Sequence, residues 1–420
     1  MEVQQFIQEQ VRLAREAARV VSCASTAQKN LVLQSLARLV REEAAKIEVA
    51  NREDLAAAAQ AGLPQPLLRR LAFAGDKIAA RCRALEAIAA LPDPVGSLDW
   101  GEVWPGGLEV YRRRVPLGVL AVIYEARPHV TINAGALALK SGNVVLLKGG
   151  AEASRTNQVI GTLWQEALAE AGLPATAIQV IATTDREAAA ILLSLRGQID
   201  LAIPRGGKSL IRLVEEQARV PILKHYEGIC HMYLDETAGV ELAVKLTVDS
   251  KVYMPEVCNA LETLLVHTAA AGRLLPPVVQ ALRERGVEVR GCSQAREVFP
   301  DLVPATEEDW RTEYLDLVLA VRVVDSLAAA IEHINTYGSH HTDAIVTGSL
   351  EAAQEFQRQV DSAVVLVNAS TMFNDGGELG LGAEMGISTD RLHARGPVGL
   401  RDLTTYKYVV VGRGHIMGTR

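Results

Sequence analysis

Cys258 stands in the segment Lys251-Val-Tyr-Met-Pro-Glu-Val-Cys-Asn-Ala-Leu-Glu-Thr-Leu-Leu-Val-His267, where a thiol could attack a carbonyl. Met254-Pro255 reads as a turn, Cys258-Asn259-Ala260 as a short helical opening, and Thr263 to Val266 as a buried strand. Backbone N–H groups at such a junction point towards the thiol. They lower its pKa and can hold an oxyanion on the carbonyl under attack. A small buried cysteine is the commoner fate of the residue type, so the rest of the chain has to decide.

Two further segments could hold a phosphorylated ligand. Lys148-Gly149-Gly-Ala-Glu-Ala-Ser154 follows the apolar run Val144–Leu147, and Pro204-Arg205-Gly206-Gly207-Lys208-Ser209 follows Leu201–Ile203. Glycines let a backbone approach phosphate oxygens, and the helix that follows offers N–H groups and the positive end of its dipole. Neither is a GxGxxG motif or a P-loop, and each alone reads equally well as a plain turn. Two in one domain, each with a lysine, favour a nucleotide.

Other candidates carry less. His340-His341 has no third ligand at helical or turn spacing, so no metal is expected. Cys230 and His231 are adjacent on a strand, point to opposite faces and cannot pair as nucleophile and base. Glu227 could be a general base, although a carboxylate closing a strand is usually solvated. Cys23, Cys82 and Cys292 read as structural or solvent-facing.

These residues need elements to position them. Residues 1 to about 95 read as Ala-rich helices broken at Gly62-Leu-Pro64, and about 97–115 as a hairpin with a glycine-rich turn. Arg112-Arg113-Arg114 on it resembles the solvated face of an edge strand. From Gly118 short apolar strands alternate with helices: Val119–Tyr124, Val144–Leu147, Ile178–Ala182, Leu201–Ile203 and Val220–Leu223. After a helix at Val240–Lys251 a second series follows: Thr263–Val266, Val287–Arg290, Leu317–Val321, Ala344–Val346 and Val364–Val367. Such alternation predicts parallel sheets covered by helices on both faces. Cys258, at the start of the second series, should then lie near a domain interface, where active sites form. Asn374–Gly386 carries too many glycines for a helix or strand and reads as a loop fixed against a ligand. Thr404–Val411 reads as a terminal strand of the kind that pairs with another subunit.

Composition narrows the classes. The chain has 420 residues, 49% hydrophobic and only 4% aromatic, which suits two or three domains with Ala/Val/Leu/Ile cores. The net charge of −7 is interspersed, which argues against non-specific nucleic-acid or anionic-membrane binding. No apolar run spans a bilayer, and Met1–Val20 is unlike a signal peptide. The five cysteines show no CxxC and no paired spacing, pointing to reduced thiols in a cytoplasm.

From about Val115 the chain resembles the γ-glutamyl phosphate reductases (glutamate-5-semialdehyde dehydrogenases), a branch of the aldehyde dehydrogenase superfamily. The resemblance lies in Pro116-Leu-Gly-Val-Leu-Ala-Val-Ile-Tyr-Glu-Ala-Arg-Pro128, Leu139-Lys-Ser-Gly-Asn143, Pro204-Arg-Gly-Gly207, Val257-Cys-Asn-Ala-Leu-Glu-Thr263, His341-Thr-Asp-Ala-Ile-Val-Thr347 and Gly380-Leu-Gly-Ala-Glu-Met-Gly-Ile-Ser-Thr-Asp-Arg-Leu-His-Ala-Arg-Gly-Pro397. It implies an α/β fold of aldehyde-dehydrogenase type, with two parallel-sheet α/β domains and a small β oligomerisation arm. The implied layout is an NADP-binding domain over 1–245 with the hairpin inserted, a catalytic domain over 246–372, and a glycine-rich loop and arm strand over 373–420.

By the resemblance, Cys258 takes the nucleophile position, with Asn259 beside it. Lys148 matches the lysine that touches the adenosine ribose, and Glu313 the glutamate that holds the nicotinamide ribose. Gly149, Arg205, Gly206, Gly207 and Lys208 complete the expected NADPH site, with Lys148 and Arg205 or Lys208 offering cations to a 2′-phosphate. Where the superfamily has Pro-Trp-Asn, this chain has Glu125-Ala126-Arg127. The guanidinium of Arg127 can bind an acyl phosphate bidentately, as an amide cannot. The implied reaction is reduction of L-glutamate 5-phosphate to L-glutamate 5-semialdehyde with NADPH, releasing phosphate, through a cysteinyl thioester in proline biosynthesis. A homodimer or homotetramer is implied, with association with glutamate 5-kinase open. The alternatives are an oxidative NAD(P)-dependent semialdehyde dehydrogenase and a catalytically inactive nucleotide-binding protein.

Overall fold

The computed structural model describes residues 2–224 and 227–417. The chain divides into two compact units. The first runs to Lys224 and takes in Gly380–Gly386 and the chain from Val398; the second runs to Leu379 and takes in Ile387–Pro397. The boundary therefore falls earlier than the expected 245, because the strand Cys230–Leu234 is hydrogen-bonded into the second sheet. The segment 373–420, expected as one piece, is shared between the units.

In the first unit five helices come first: α1 (Val3–Val21), α2 (Thr26–Glu42), α3 (Ala44–Gln60), α4 (Gln65–Leu71) and α5 (Asp76–Ala90). In α1 the buried residues Ile7, Val11, Ala14, Ala17 and Val21 recur every three or four positions, forming one apolar stripe. A capping box between Ser25 and Gln28 starts α2. There follow β1 (Leu98–Val103), β2 (Glu109–Pro116), β3 (Val119–Tyr124), α6 (Pro128–Lys140), β4 (Val144–Gly149), α7 (Ser154–Glu170), β5 (Ile178–Val180), α8 (Glu187–Ser194), β6 (Leu201–Arg205) and α9 (Lys208–Gln217). The parallel sheet has the order β5-β4-β3-β6. All six residues of β3 are buried, as a central strand covered on both faces requires.

The expected strand at Val220–Leu223 is reduced to a single bridge between Ala202 and Ile222. Pro221 has no N–H to continue a ladder.

The second unit continues with β7 (Cys230–Leu234), α10 (Val240–Val252), β8 (Leu261–His267), α11 (Thr268–Arg283), β9 (Glu288–Gly291), α12 (Ser293–Val298), β10 (Val303–Pro304), β11 (Val318–Val324), α13 (Leu327–Tyr337), β12 (Thr342–Val346), α14 (Leu350–Gln359), β13 (Val364–Val367) and the short pair β14 (Ile387–Ser388) and β15 (Gly396–Pro397). Seven of these strands form a parallel sheet in the order β10-β9-β11-β8-β7-β12-β13. Met232, Leu264 and Val266 pack with Leu274 and Val278 of α11 in one apolar cluster. Tyr233, Leu265 and Ile345 pack with Ile331 and Phe356 of α13 and α14 in another. Alternate residues of each strand thus serve opposite layers.

The last strand, β16 (Thr404–Val411), returns to the first unit. It pairs antiparallel with β2 along its whole length, Thr404 opposite Pro116 and Val411 opposite Glu109. With β1 on the other side, β2 is the middle strand of a three-stranded sheet, so the expected edge-strand reading of its arginines fails. Arg112, Arg114 and Arg401 converge on the nearly buried carboxylate of Asp99, which they hold below the usual carboxylate range.

Candidate active site

In the second unit the candidate residues precede the strands β7, β8 and β11, which are neighbours in the sheet. They therefore share its amino edge. Cys258 is half-buried in a run of turns from Pro255 to Ala260 that opens directly into β8. The expected helical opening is absent, because the chain goes straight from the Ala260 N–H···Val257 carbonyl turn into extended backbone. Cys258 is thus carried on turn backbone and not at a helix N-terminus.

Two neighbours fix that turn. A Cβ on Gly228 would lie 1.6 Å from the carbonyl oxygen of Cys258 and 2.8 Å from its Cα, so only glycine lets the two segments pass. The Gly228 N–H donates to Glu313 Oε1 at 2.8 Å. The Cys230 thiol donates to the Cys258 carbonyl at 3.2 Å, and its sulfur stands 3.8 Å from Nδ1 of His341. Burial holds Cys230 well above the ordinary thiol pKa, so it is a hydrogen-bond donor here and a poor nucleophile. Cys230 finds a distant histidine, His341, while the adjacent His231 turns to Asp343.

Asn259, expected among the catalytic residues, has its amide committed to backbone. It donates to the carbonyls of Met372 (3.1 Å) and Asn374 (3.2 Å), anchoring the start of the glycine-rich segment. Glu227 is half-buried just ahead of Gly228. Behind the turn, Lys251 and Glu262 form a fully buried ion pair at 2.6 Å. Burial pushes Glu262 up to about 7 and Lys251 down. The other oxygen of Glu262 accepts the N–H of Leu315 at 3.2 Å, a residue with φ +54°. That bond steadies the strained loop carrying Glu313.

In the first unit the candidates lie at the carboxyl ends of the strands. Tyr124 at the end of β3 is in register with Gly149 on β4 and Arg205 on β6. Beyond it, Ala126 is buried at φ +46°, held by its N–H on the Glu152 carboxylate. Arg127 then donates from Nη1 to the Arg205 carbonyl at 3.0 Å. Glu125 accepts the Gly207 N–H at 3.0 Å. Arg205 joins Arg127, and a Cβ on Gly386 would come within 2.4 Å of its Nη1.

Lys148 is 5% exposed. It donates from Nζ to the Gly149 carbonyl at 3.0 Å, and burial lowers its pKa against the opposing pull of Glu152 and Asp185. Gly149 and Gly150 border a concavity with Ser154, Asn157, Thr183 and Thr184. A Cβ on either glycine would strike Asn157 Nδ2 (2.3 Å) or Glu152 Oε1 (2.2 Å). This small hollow lies at the carboxyl ends of the parallel strands β4 and β5, the end of such sheets where ligands bind. The Lys208 side chain lies outside the described residues.

Sequence reasoning missed His129 in the first turn of α6. It is half-buried, and burial with the charges of Arg81, Arg205, Arg127 and Lys77 pushes its imidazole down to about 3. Its place one residue past the Glu125-Ala-Arg-Pro128 motif was the available signal; Arg81, on a helix outside every motif, offered none. Among the described residues no group of three or more His, Cys, Asp or Glu side chains could hold a metal.

A sequence model of the aldehyde dehydrogenase family matches residues 2–291. The γ-glutamyl phosphate reductase of Thermotoga maritima is 45% identical, with a TM-score of 0.95 over 98% of this chain and 99% of its own. That of Saccharomyces cerevisiae is 32% identical, with a TM-score of 0.56 over 99% of both chains. An engineered glycolyl-CoA reductase with bound NADP+ is 13% identical, with a TM-score of 0.70 over 96% of both, a likeness of fold alone. The chain belongs to the aldehyde dehydrogenase family, whose members are oxidoreductases of the aldehyde group. Within that family its similarity is to the γ-glutamyl phosphate reductases, as the motifs implied.

Proposed function

We propose that this chain reduces L-glutamate 5-phosphate to L-glutamate 5-semialdehyde with NADPH, releasing phosphate, as a step of proline biosynthesis. The observation that carries the reading is Cys258, a half-buried thiol on a turn fixed by Gly228 and Cys230, in a chain so similar to two such reductases.

The Cys258 thiolate attacks the acyl carbon, and phosphate leaves with the bonding electrons, giving a thioester on the protein. Phosphate is a stable anion at neutral pH, so no side chain has to protonate it. NADPH supplies the hydride for reduction at the acyl carbon when bound. Collapse of the thiohemiacetal then returns Cys258 as thiolate and frees the aldehyde. Lys148 and the hollow beside Gly149 and Gly150 would hold the adenosine end of the cofactor, and Glu313 the nicotinamide ribose. The turn of Gly206 and Gly207 at the start of α9 suits its pyrophosphate. The glycine-rich segment from Asn374 would keep water from the thioester, anchored by Asn259.

The test is semialdehyde oxidation with NADP, with and without phosphate. The proposal expects oxidation only when phosphate is present, and Cys258→Ala should retain less than about 1% of turnover while binding NADPH within a few-fold. Oxidation at full rate without phosphate would instead identify a hydrolytic semialdehyde dehydrogenase.

A further inference from the structure

A cleft that lies wholly within the second unit has no part in that mechanism. It encloses about 380 Å³ at the carboxyl end of β11, bordered by Arg322 and Asp325, by Gln294 of α12, and by Glu332 and His333 of α13. The topology opens the sheet at this place. β8 leads through α11 to β9, and α11 packs in one apolar layer. β11 leads through α13 to β12, on the far side of β8, and α13 packs in the opposite layer. β8 and β11 are hydrogen-bonded neighbours, so their onward connections part in opposite directions. That arrangement leaves a crevice outside the carboxyl ends of parallel strands, where ligands bind. Cys258 stands before β8, at the other end of the strands.

Arg322 is held there without a counter-ion. Its Nη1 donates to Nδ1 of His333 at 3.0 Å, and its guanidinium stands 5.6 Å from the ring centre of Trp310, within reach of a cation–π contact. His333 is buried, so this partner keeps the guanidinium in one place and leaves its other N–H groups to donate elsewhere. Among the described residues no carboxylate forms an ion pair with Arg322, and neither Asp325 nor Glu332 pairs with a cation or makes a side-chain hydrogen bond. A fixed guanidinium and two carboxylates thus line one cleft without meeting each other.

We propose that this cleft binds a free α-amino acid, with its carboxylate on Arg322 and its ammonium on Asp325 and Glu332. A carboxylate matches the planar fork of a guanidinium, and an ammonium supplies the donors that two carboxylates accept. A simple anion would meet the two carboxylates, and a simple cation would meet the guanidinium, each at an electrostatic cost. A zwitterion satisfies both signs at once. The volume is at the lower end of the range for small-molecule clefts, in keeping with a compact solute. The inference is separate from the function argued above, because it uses no residue of the reacting site.

Calorimetric titration of L-alanine, L-proline, L-glutamate and L-lysine into the full chain tests this. At least one should bind saturably at millimolar concentration or below, and its counterpart lacking the amino group should bind about tenfold more weakly or worse. Arg322→Gln should weaken the tightest of the four by about tenfold or more. Asp325→Asn combined with Glu332→Gln, both at exposed positions, should weaken it as well, and decides the matter if the arginine variant does not fold. Failure of all four amino acids to bind overturns the proposal. Binding that either folded variant leaves unchanged overturns it too, by placing the amino acid elsewhere or removing the ammonium contact. Equal binding of the amine-free counterpart also overturns it, since the cleft would then be a simple anion site.

Discussion

Gly228 contributes no side chain, and the geometry of the nucleophile depends on that. Its backbone passes so close to the Cys258 carbonyl that a methyl group would overlap it. Gly228→Ala must therefore displace the Cys258 turn, the Glu313 hydrogen bond, or both. We expect kcat to fall by about a hundredfold, the usual consequence of misplacing a reacting group by an ångström, with melting temperature lowered less than activity. Alkylation by iodoacetamide at Cys258 should change rate in the same variant, and an unchanged kcat would refute the positioning role. The sequence displays Cys258, Lys148, Arg127 and the glycine-rich turns because each sits in a motif. It does not display the collision at Gly228, because that meeting joins residues far apart in the chain.

Elements were legible wherever one period ruled. Continuous apolar runs marked β3, β4, β8 and β12 because central strands are buried on both faces. The reading failed where one residue or a distant strand intervened: Pro221 stopped a ladder, and β16 turned β2 from an edge into a centre. The join between α13 and β11 shows what such packing does to a titrating group. Buried His333 has Nδ1 3.0 Å from Nη1 of Arg322 on β11 and packs against His231 and Trp310. Burial, with the charges of His231 and Arg322, pushes its pKa down to about 2 from an ordinary 6.5. Below pH 6.5 the unfolded chain takes up a proton there that the folded protein refuses. Stability present above 6.5 is thus lost as pH falls, at up to about 1.4 kcal/mol per pH unit. Chemical denaturation from pH 7.5 to 5 should show that slope, reduced in His333→Leu; equal slopes in the two proteins would rule this source out.

At the largest scale, the three-stranded arm β1-β2-β16 carries exposed apolar side chains. Trp100 and Val103 on β1, and Tyr408 and Val410 on β16, are all more than a third exposed. A three-stranded sheet with exposed aromatic and branched residues is a surface on which a second copy can pack. We expect the full chain to sediment as a dimer or tetramer at micromolar concentration, and a chain cut after Leu403 to sediment as a monomer or to aggregate. A truncated chain that stays dimeric would refute the arm's role. The arm's three strands are legible in the sequence. Their order is not, because pairing across most of the chain leaves no local trace.

That pairing also governs when the first unit can be finished during synthesis. Arg114 and Thr404, which meet across β2 and β16, are 290 positions apart, and Asp99 waits equally long for Arg401. At about 5–20 residues per second, the ribosome needs roughly 15–60 s to make what lies between. Throughout that interval β1 and β2 stand as an emerging hairpin with one side of β2 unpaired. The part of the protein that is made first is thus completed late, after the unit carrying the nucleophile has largely been synthesised.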